Sequence, residues 1–320
     1  MEPRLTPETY AQFLADEYLS SYIRQGGAAV KVAVCADEAS SSVLAAELRA
    51  RSSAAGYQTA LIDAATTKVH LIQNVFFSTA SQLDWTDLAR RVAEDVVVST
   101  YGSSLAGVTD LPTIVQATGM DQYQVKQDVQ RTIRRLVVTN YALAKDFRLA
   151  MTQLLLAAME PEPFTEQARS SILDWLRGEL RLIAALKEYQ IYHKIARHNA
   201  RTMLESTARW IAAAKLSGLC VIMDWGQLAV PRRGGAEDER VYYTPGNIMD
   251  GYEVLRQFID ATDDMDHLFI LVMLPDTLLD EDPGAKRSVA RYPALKTRIW
   301  EDVRDKSRAN PCAPMVHVAV

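Results

Sequence analysis

The sequence predicts an α/β protein in which helices flank a parallel sheet and a large helical insertion divides the strand-forming segments. Three observations lead to this fold class. Apolar runs of strand length lie near both ends of the chain, the middle carries apolar residues at helical spacing, and the first two predicted strands enclose a helix. Strand–helix–strand order is typical of parallel βαβ units, so strands from both ends can join one sheet.

The predicted N-terminal element is an amphipathic helix within residues 1–25. Thr6 can cap this helix, Pro7 suits its first position, and Glu8 lies in the first turn, where the helix dipole favours an acid. The glycine pair 26–27 ends it.

The first predicted core segment follows directly. Its elements are the strand AVKVAVC (29–35), a helix from about Ser42 to Ala54 and the strand YQTALIDA (57–64). The run TKVHLIQNVFF (67–77) fits either a third strand or a helix, because short apolar runs do not distinguish the two.

Helical spacing dominates the middle of the chain, and strands return near its end. The helical segments are 85–102, 111–119, 122–160, 165–189 and 192–218. The later elements are the strand LCVIMDW (219–225), a helix around 247–262, the strand HLFILVMLPDTLL (267–279) and the strand MVHVAV (315–320). We therefore divide the chain into an N-terminal helix (1–27), a first core part (28–105), a helical insertion (106–215) and a second core part (216–320).

Composition is that of an ordinary globular protein. Hydrophobic residues make up 48% and charged residues 23%, and the formal net charge of -5 excludes a polybasic nucleic-acid coat while leaving room for a local basic face. Three cysteines without CxxC spacing and five histidines without metal-ligand spacing predict buried reduced thiols and no metal site. Since no signal peptide or membrane-length apolar run is present, we expect a cytoplasmic protein without membrane contact.

The turn after the first strand lies where many nucleotide-binding proteins carry a phosphate-binding loop. Aligned with GxxxxGK[ST], residues 35–42 match only at the last hydroxyl, that of Ser42, and Ser41 replaces the lysine. Asp37 and Glu38 would repel incoming phosphates. Taken alone, this stretch is a strand-to-helix turn with serine caps.

Two later strands favour a nucleotide-binding ancestry. The run ending at Asp224 has the form of a Walker B strand, whose acid helps to hold magnesium. Trp225 stands where hydrolysing ATPases commonly carry a glutamate, and an indole cannot accept a proton from water. The next strand ends at Asp276 and Thr277, in the place of a polar sensor. Losses at both catalytic positions indicate a decayed ATPase with no catalytic residue.

Three further segments carry a resemblance to a known family. They are ILDWLRGEL (172–180), ARTMLESTARWIAAAKLSGLCVIMDW (200–225), and RSVARYPALKTRIWEDVRD with NPCAPMVHV near the end (287–305 and 310–318). With these segments the chain resembles the ATP-binding proteins of BREX-type phage-defence systems, within the AAA+-like ATPases, over about residues 30–320.

The resemblance implies a P-loop NTPase (AAA+-like) fold. By position, Asp224 matches the Walker B acid and Ser42 the magnesium-binding hydroxyl, so the candidate cofactor-binding residues are Ser40, Ser41, Ser42 and Asp224. Because the lysine and the glutamate are both missing, we expect no cofactor, with ATP and magnesium as the only candidates. Arg291 and Arg298 match positions that can reach a nucleotide or a neighbouring subunit; a surface salt bridge is the alternative for each.

A second set of candidates concerns DNA. Residues 111–136 have the pattern of a helix-turn-helix, with Ile114, Val115, Val125 and Val129 inward, Gly119 at the turn, and Arg131, Arg134 and Arg135 placed to meet phosphates. A purely structural helix pair is the alternative. Basic residues also recur at helical spacing at Lys187, Lys194, Arg197 and Arg201, as a phosphate contact or as a solvated face.

The leading functional hypothesis is a catalytically degenerate P-loop ATPase-like subunit of a bacterial anti-phage defence or DNA-processing complex. It would bind protein partners of helicase, methyltransferase or nuclease type, with DNA as a further candidate, and would not itself be an enzyme. Two alternatives stay open. One is an active ATPase with a non-standard phosphate loop, and the other is a DNA-binding regulator that uses the helix-turn-helix.

Overall fold

The chain folds into two compact units. The computed structural model describes residues 3–160, 162–231, 235, 238–282, 284–300 and 308–320. One unit is formed by Met1–Gln82 with Ser217–Val320, and the other by Leu83–Leu216. The first unit contains the sheet, and the second is built from helices and irregular segments.

The elements follow one another in this order. The chain begins with α1 (Pro7–Leu14), π-helical turns (Ala15–Tyr22), β1 (Ala28–Cys35), α2 (Glu38–Ala54), β2 (Tyr57–Asp63) and α3 (Ile72–Ser81). The second unit contains α4 (Trp85–Tyr101), α5 (Leu111–Thr118), α6 (Gln122–Ile133), α7 (Lys145–Met159), α8 (Pro163–Arg177) and α9 (Ala200–Ala213). The chain returns with β3 (Gly218–Asp224), α10 (Pro245–Asp260), β4 (Leu268–Pro275), α11 (Pro293–Ile299) and β5 (Met315–Val318).

The predicted parallel sheet is confirmed. Within the described ranges, five strands pair in the order β2-β3-β4-β1-β5, and every neighbouring pair is parallel. Strands from both ends of the chain therefore share one sheet, as the apolar runs predicted. Since all pairs are parallel, the five carboxyl ends meet at the same edge of the sheet.

The ambiguous run 67–77 is helical in its second half. After β2 the Tyr243 hydroxyl donates to the carbonyl oxygens of Ala64 (2.9 Å) and Thr67 (2.6 Å), which holds the chain in a turn. Helix α3 follows, with Ile72, Val75, Phe76 and Thr79 buried. These positions recur at three and four residues, the spacing of one helix face.

Both faces of the sheet are covered, which explains the nearly continuous apolar strands. On one face, alternate residues such as Cys220 and Ile222 of β3 and Phe269 and Leu271 of β4 form a core cluster with α1 and α2. The residues between them are also buried. Both β3 and β4 are therefore buried on both faces of the sheet.

A buried lysine connects β1 to the segment before β5. Lys31 is only 5% exposed. Its Nζ donates to the carbonyl oxygens of Cys312 (2.7 Å) and Ala313 (3.1 Å), so the ammonium group is hydrogen-bonded where water is excluded. β5 can then pair with β1, and Leu5 forms a parallel bridge with Val318.

The second unit is held together by aromatic side chains from three helices. The rings of Trp85 (α4) and Phe147 (α7) lie 6.1 Å apart, and Phe147 lies 6.3 Å from Trp210 (α9), both pairs in edge-to-face geometry. The single helix predicted over 122–160 is interrupted, because α6 continues as π-helical turns (Arg134–Val138) and α7 begins only at Lys145. None of the described helices in either unit is long and apolar enough to span a bilayer.

Candidate functional site

The turn between β1 and α2 is shorter than a phosphate-binding loop. Helix α2 begins at Glu38, four residues before the predicted start at Ser42, so only Ala36 and Asp37 separate it from β1. The Asp37 carboxylate caps the helix by accepting the N–H (2.8 Å) and the hydroxyl (2.7 Å) of Ser40. These hydrogen bonds, with a smaller contribution from Arg4, lower the pKa of Asp37. The first turn of α2 is thus occupied by an anion of the chain itself.

The three candidate serines have different surroundings. Ser40 is fully buried, and its hydroxyl also accepts the N–H of Val320 (3.2 Å). Ser41 is buried, donates to the carbonyl oxygen of Glu38 (3.0 Å) and lies close enough to Asp224 for its hydroxyl to lower the pKa of that carboxyl. Ser42 is exposed. The structure therefore brings Ser41, rather than the predicted Ser42, next to the acid that ends β3.

Asp224 lies at the carboxyl edge of the sheet, paired in register with Asp63 of β2. Its Oδ1 accepts the N–H of Gly226 at 2.7 Å. Burial raises the pKa of Asp224; the hydrogen bonds from Gly226 and Ser41 act in the opposite direction, and Asp63 and Glu38 raise it further. The largest effect on this carboxyl is therefore its removal from water, which favours the neutral form relative to a free aspartate.

Trp225 points into the core. Its side chain is fully buried, its backbone N–H donates to the carbonyl oxygen of Met273 (3.0 Å), and its ring stacks on Tyr252 at 6.4 Å. Within the described part of the chain the indole N–H has no hydrogen-bond partner. A residue with this orientation packs the sheet against α10 and cannot position water at the edge.

The residues after β4 lie at the same edge. The Asp276 carboxylate accepts a hydrogen bond from the guanidinium group of Arg4 at 2.6 Å. The Nδ1 of His317 lies 3.6 Å from the other carboxylate oxygen of Asp276. Thr277 borders a cavity of about 380 Å³ that Tyr242 and Arg287 also line. Sequence reasoning missed Arg4 and His317, since 272 positions separate Arg4 from Asp276. The pairing of β5 with β1 and the bridge between Leu5 and Val318 bring these segments together.

The late arginines are placed at the surface. Arg298 pairs through Nε and Nη2 with the two carboxylate oxygens of Asp260, so the surface salt bridge proposed as its alternative is present. Arg291 ends a short 3-10 turn (Val289–Arg291) and is exposed. The part of the late family-like segment at 301–307 lies outside the described residues.

The predicted basic stripe does not lie on one helix, so that prediction is wrong. Lys187 lies in a 3-10 segment (Ile183–Tyr189), and α9 begins only at Ala200. Between them the Trp175 indole donates to the carbonyl oxygen of His193 (3.0 Å), which holds the chain in a non-helical path.

The helix pair at 111–136 is present. α5 and α6 are separated by Gly119, whose φ of 66° lies in the left-handed region. Ile114, Val125 and Val129 are buried as predicted, whereas Val115 is only partly buried. Arg131, Arg134 and Arg135 are exposed at the C-terminal end of α6 and in the turns that continue it.

Across the described ranges, no three His, Cys, Asp or Glu side chains are grouped so that they could hold a metal ion.

A family model described as BREX system ATP-binding protein BrxC/D matches residues 22–319. The comparisons with curated proteins and with solved structures gave no match. The matched range contains all five strands of the sheet.

Proposed function

The chain belongs to the BREX system ATP-binding protein BrxC/D family, and on that premise we propose that it is a phage-defence component whose own nucleotide site is degenerate. It acts as a P-loop ATPase-like subunit that binds protein partners and does not hydrolyse ATP. The order of the strands and the position of Asp224 at their carboxyl edge support an AAA+-like ancestry.

The observation that carries this proposal is the Asp37 cap on α2. In a P-loop, backbone N–H groups at the start of the helix wrap the phosphates, and glycines allow the close approach. Here the Asp37 carboxylate accepts the Ser40 N–H, and the loop is two residues long. A triphosphate would meet a negative charge and one fewer free donor, without a lysine to compensate.

Trp225 supports the absence of hydrolysis independently. Its fully buried ring stacks on Tyr252, so the position that would carry a water-orienting glutamate belongs to the core. Exchanging this residue alone cannot restore activity, because a glutamate there would be buried among apolar side chains.

An ATP-hydrolysis assay on the purified chain tests the proposal. We expect no magnesium-dependent release of phosphate above that of a sample without protein. The matched pair is Asp224→Ala and Ser42→Ala, because Asp224 lies at the candidate site whereas Ser42 is exposed. The proposal of a degenerate site would be contradicted if the wild type hydrolysed ATP, Asp224→Ala abolished this hydrolysis and Ser42→Ala left it unchanged.

The nearness of the Ser41 hydroxyl to Asp224, whose pKa it lowers, favours a second candidate function, that of an ATPase with a non-standard phosphate loop. In P-loop NTPases a hydroxyl and a Walker B acid together hold magnesium. This candidate requires Mg–ATP binding that Ser41→Ala weakens more than Ser42→Ala. Titration calorimetry measures it; absence of heat at millimolar-range ATP, on the order of 1 mM, excludes it and agrees with the first proposal.

We also propose that its partners are other subunits of the defence complex, of helicase, methyltransferase or nuclease type. The family assignment supports this proposal. Co-purification of the tagged chain with the separately expressed products of neighbouring genes tests it. A monomeric chain that captures none of those products would contradict it.

A further inference from the structure

We propose that α5 and α6 bind duplex DNA, with α6 in the major groove and the arginines at its C-terminal end on the flanking phosphates. This activity goes beyond the proposed function and does not depend on it. Its basis is one exposed face of α6, its side-chain chemistry and its length.

Local capping hydrogen bonds hold the two helices of the pair. Asp110 caps α5 by accepting the N–H of Thr113 (2.8 Å), and Asp121 caps α6 by accepting the N–H of Tyr123 (2.9 Å). Gly119 provides the left-handed residue between them. The tight turn fixes the two helices against each other, as in helix-turn-helix proteins.

The buried side of α6 is apolar, and its exposed side is not. Val125, Val129 and Ile133 are at most 2% exposed and follow one another at four-residue intervals. The opposite side carries a set of exposed glutamines and arginines that recur every three or four residues. This set is Gln124, Gln127, Arg131, Arg134 and Arg135. We name it the Gln/Arg face.

The chemistry of the Gln/Arg face matches that of a duplex. Glutamine can bind the edge of adenine with its amide, and arginine binds phosphate or the edge of guanine with paired donors. The N-terminal residues of a recognition helix contact base edges, while the C-terminal end can contact the backbone. Gln124 and Gln127 lie in the N-terminal half of α6 and the arginines follow at its C-terminal end, which agrees with that arrangement.

Charge on this face is available for phosphates. Arg131 is 77% exposed and makes only a 3.4 Å pair with Asp128. Within the described ranges Arg134 and Arg135 have no carboxylate partner, although the chain as a whole is acidic. Lys126, beside the face, is already paired with Glu160 at 2.5 Å. Three exposed guanidinium groups within five positions therefore present a local positive field to a polyanion.

The length of the helix fits the width of the groove. From Gln124 to Arg135 a helix rises about 16 Å, and the major groove is about 12 Å wide. With Gln124 and Gln127 inside the groove, the arginines reach its bordering phosphates.

Fluorescence anisotropy with the full chain and a labelled duplex of mixed sequence tests this inference, titrated from about 50 to about 200 mM salt. R131E/R134E/R135E should weaken binding at least about tenfold and reduce the slope of log K against log salt by about three. The matched control is K187E/K194E/R197E, which changes the net charge equally at exposed positions of the same unit. It should change affinity less than about threefold.

A second variant keeps the inference testable if the triple reversal does not fold, as judged by circular dichroism. Q124A/Q127A retains every charge and does not lower helix propensity, so it should keep affinity for mixed duplex but change the sequences enriched in a selection from random DNA. Absence of binding by the wild type at low salt would overturn the inference. So would equal losses in the two charge-reversal variants, an unchanged sequence preference, or tighter binding to single strands than to duplex.

Discussion

The carboxylate of Asp37 accepts two hydrogen bonds from Ser40, one from its N–H at 2.8 Å and one from its hydroxyl at 2.7 Å. This contact brings a negative charge to the start of α2, where the dipole of the helix and its free N–H groups would otherwise attract a phosphate. The same contact stabilises the helix. One residue therefore caps the helix and, in the function proposed above, also opposes nucleotide binding.

The cap makes part of the stability dependent on pH. Since hydrogen bonds from Ser40 lower the pKa of Asp37, its contribution is present above the pKa of a free aspartate, about 3.9, and is lost as the pH falls through the lower folded value. Asp37→Asn should lower the thermal midpoint at neutral pH, and the difference from wild type should shrink in acid. Thermal unfolding followed by circular dichroism at several pH values measures this; a difference that is constant with pH would refute it.

Trp225 should contribute to stability more than to any activity. Because its side chain is fully buried against Tyr252, Trp225→Ala should lower the free energy of unfolding by about 3–5 kcal/mol. Trp225→Phe keeps most of the apolar volume and should cost less. Urea denaturation compares the two, with exposed Ser42→Ala as the control. Equal stability of Trp225→Ala and wild type would mean that the indole is not packed as described.

Two glycines should respond differently to alanine. At Gly218, φ is 138° and an added Cβ would lie 2.5 Å from the backbone carbonyl oxygen of His267. Gly218→Ala should therefore cost more than about 2 kcal/mol, because both the backbone angle and the space are lost. At Gly119 an added Cβ meets nothing within 4 Å, so Gly119→Ala should cost about 1–2 kcal/mol through φ alone. Urea denaturation ranks the pair; the reverse order would contradict this explanation.

Thiol reactivity should separate the three cysteines. Burial raises the pKa of both Cys35 and Cys220 to about 12, whereas Cys312 is exposed. The thiolate is the reactive form, so an aromatic disulfide reagent at mildly alkaline pH should label Cys312 rapidly and the other two only after denaturation. Cys312→Ser should remove the rapid phase. A rapid phase that survives this exchange would show that a buried thiol is reached in the native protein.

The apolar runs were enough to predict the parallel sheet, since strands buried on both faces carry few polar residues. Helix caps were also readable locally: the hydroxyl of Thr6 accepts the N–H of Thr9 at 3.3 Å, as the Thr-Pro-Glu start predicted. The secondary structure of the run 67–77 could not be predicted, because its eleven residues fit both the strand and the helix pattern. Tertiary hydrogen bonds that hold the turn at Ala64 and Thr67 decide it.

At the candidate site, the sequence determined which residue types stand at the ends of β1 and β3, and which catalytic types are absent there. Only the tertiary structure decided that α2 starts at Glu38, that Ser41 instead of Ser42 meets Asp224, and that Trp225 turns inward. The reason is physical. A change of one residue in the length of the turn rotates every later side chain by about 100° around the helix. The length of the turn depends on which side chain caps the helix, and packing in the folded protein determines that.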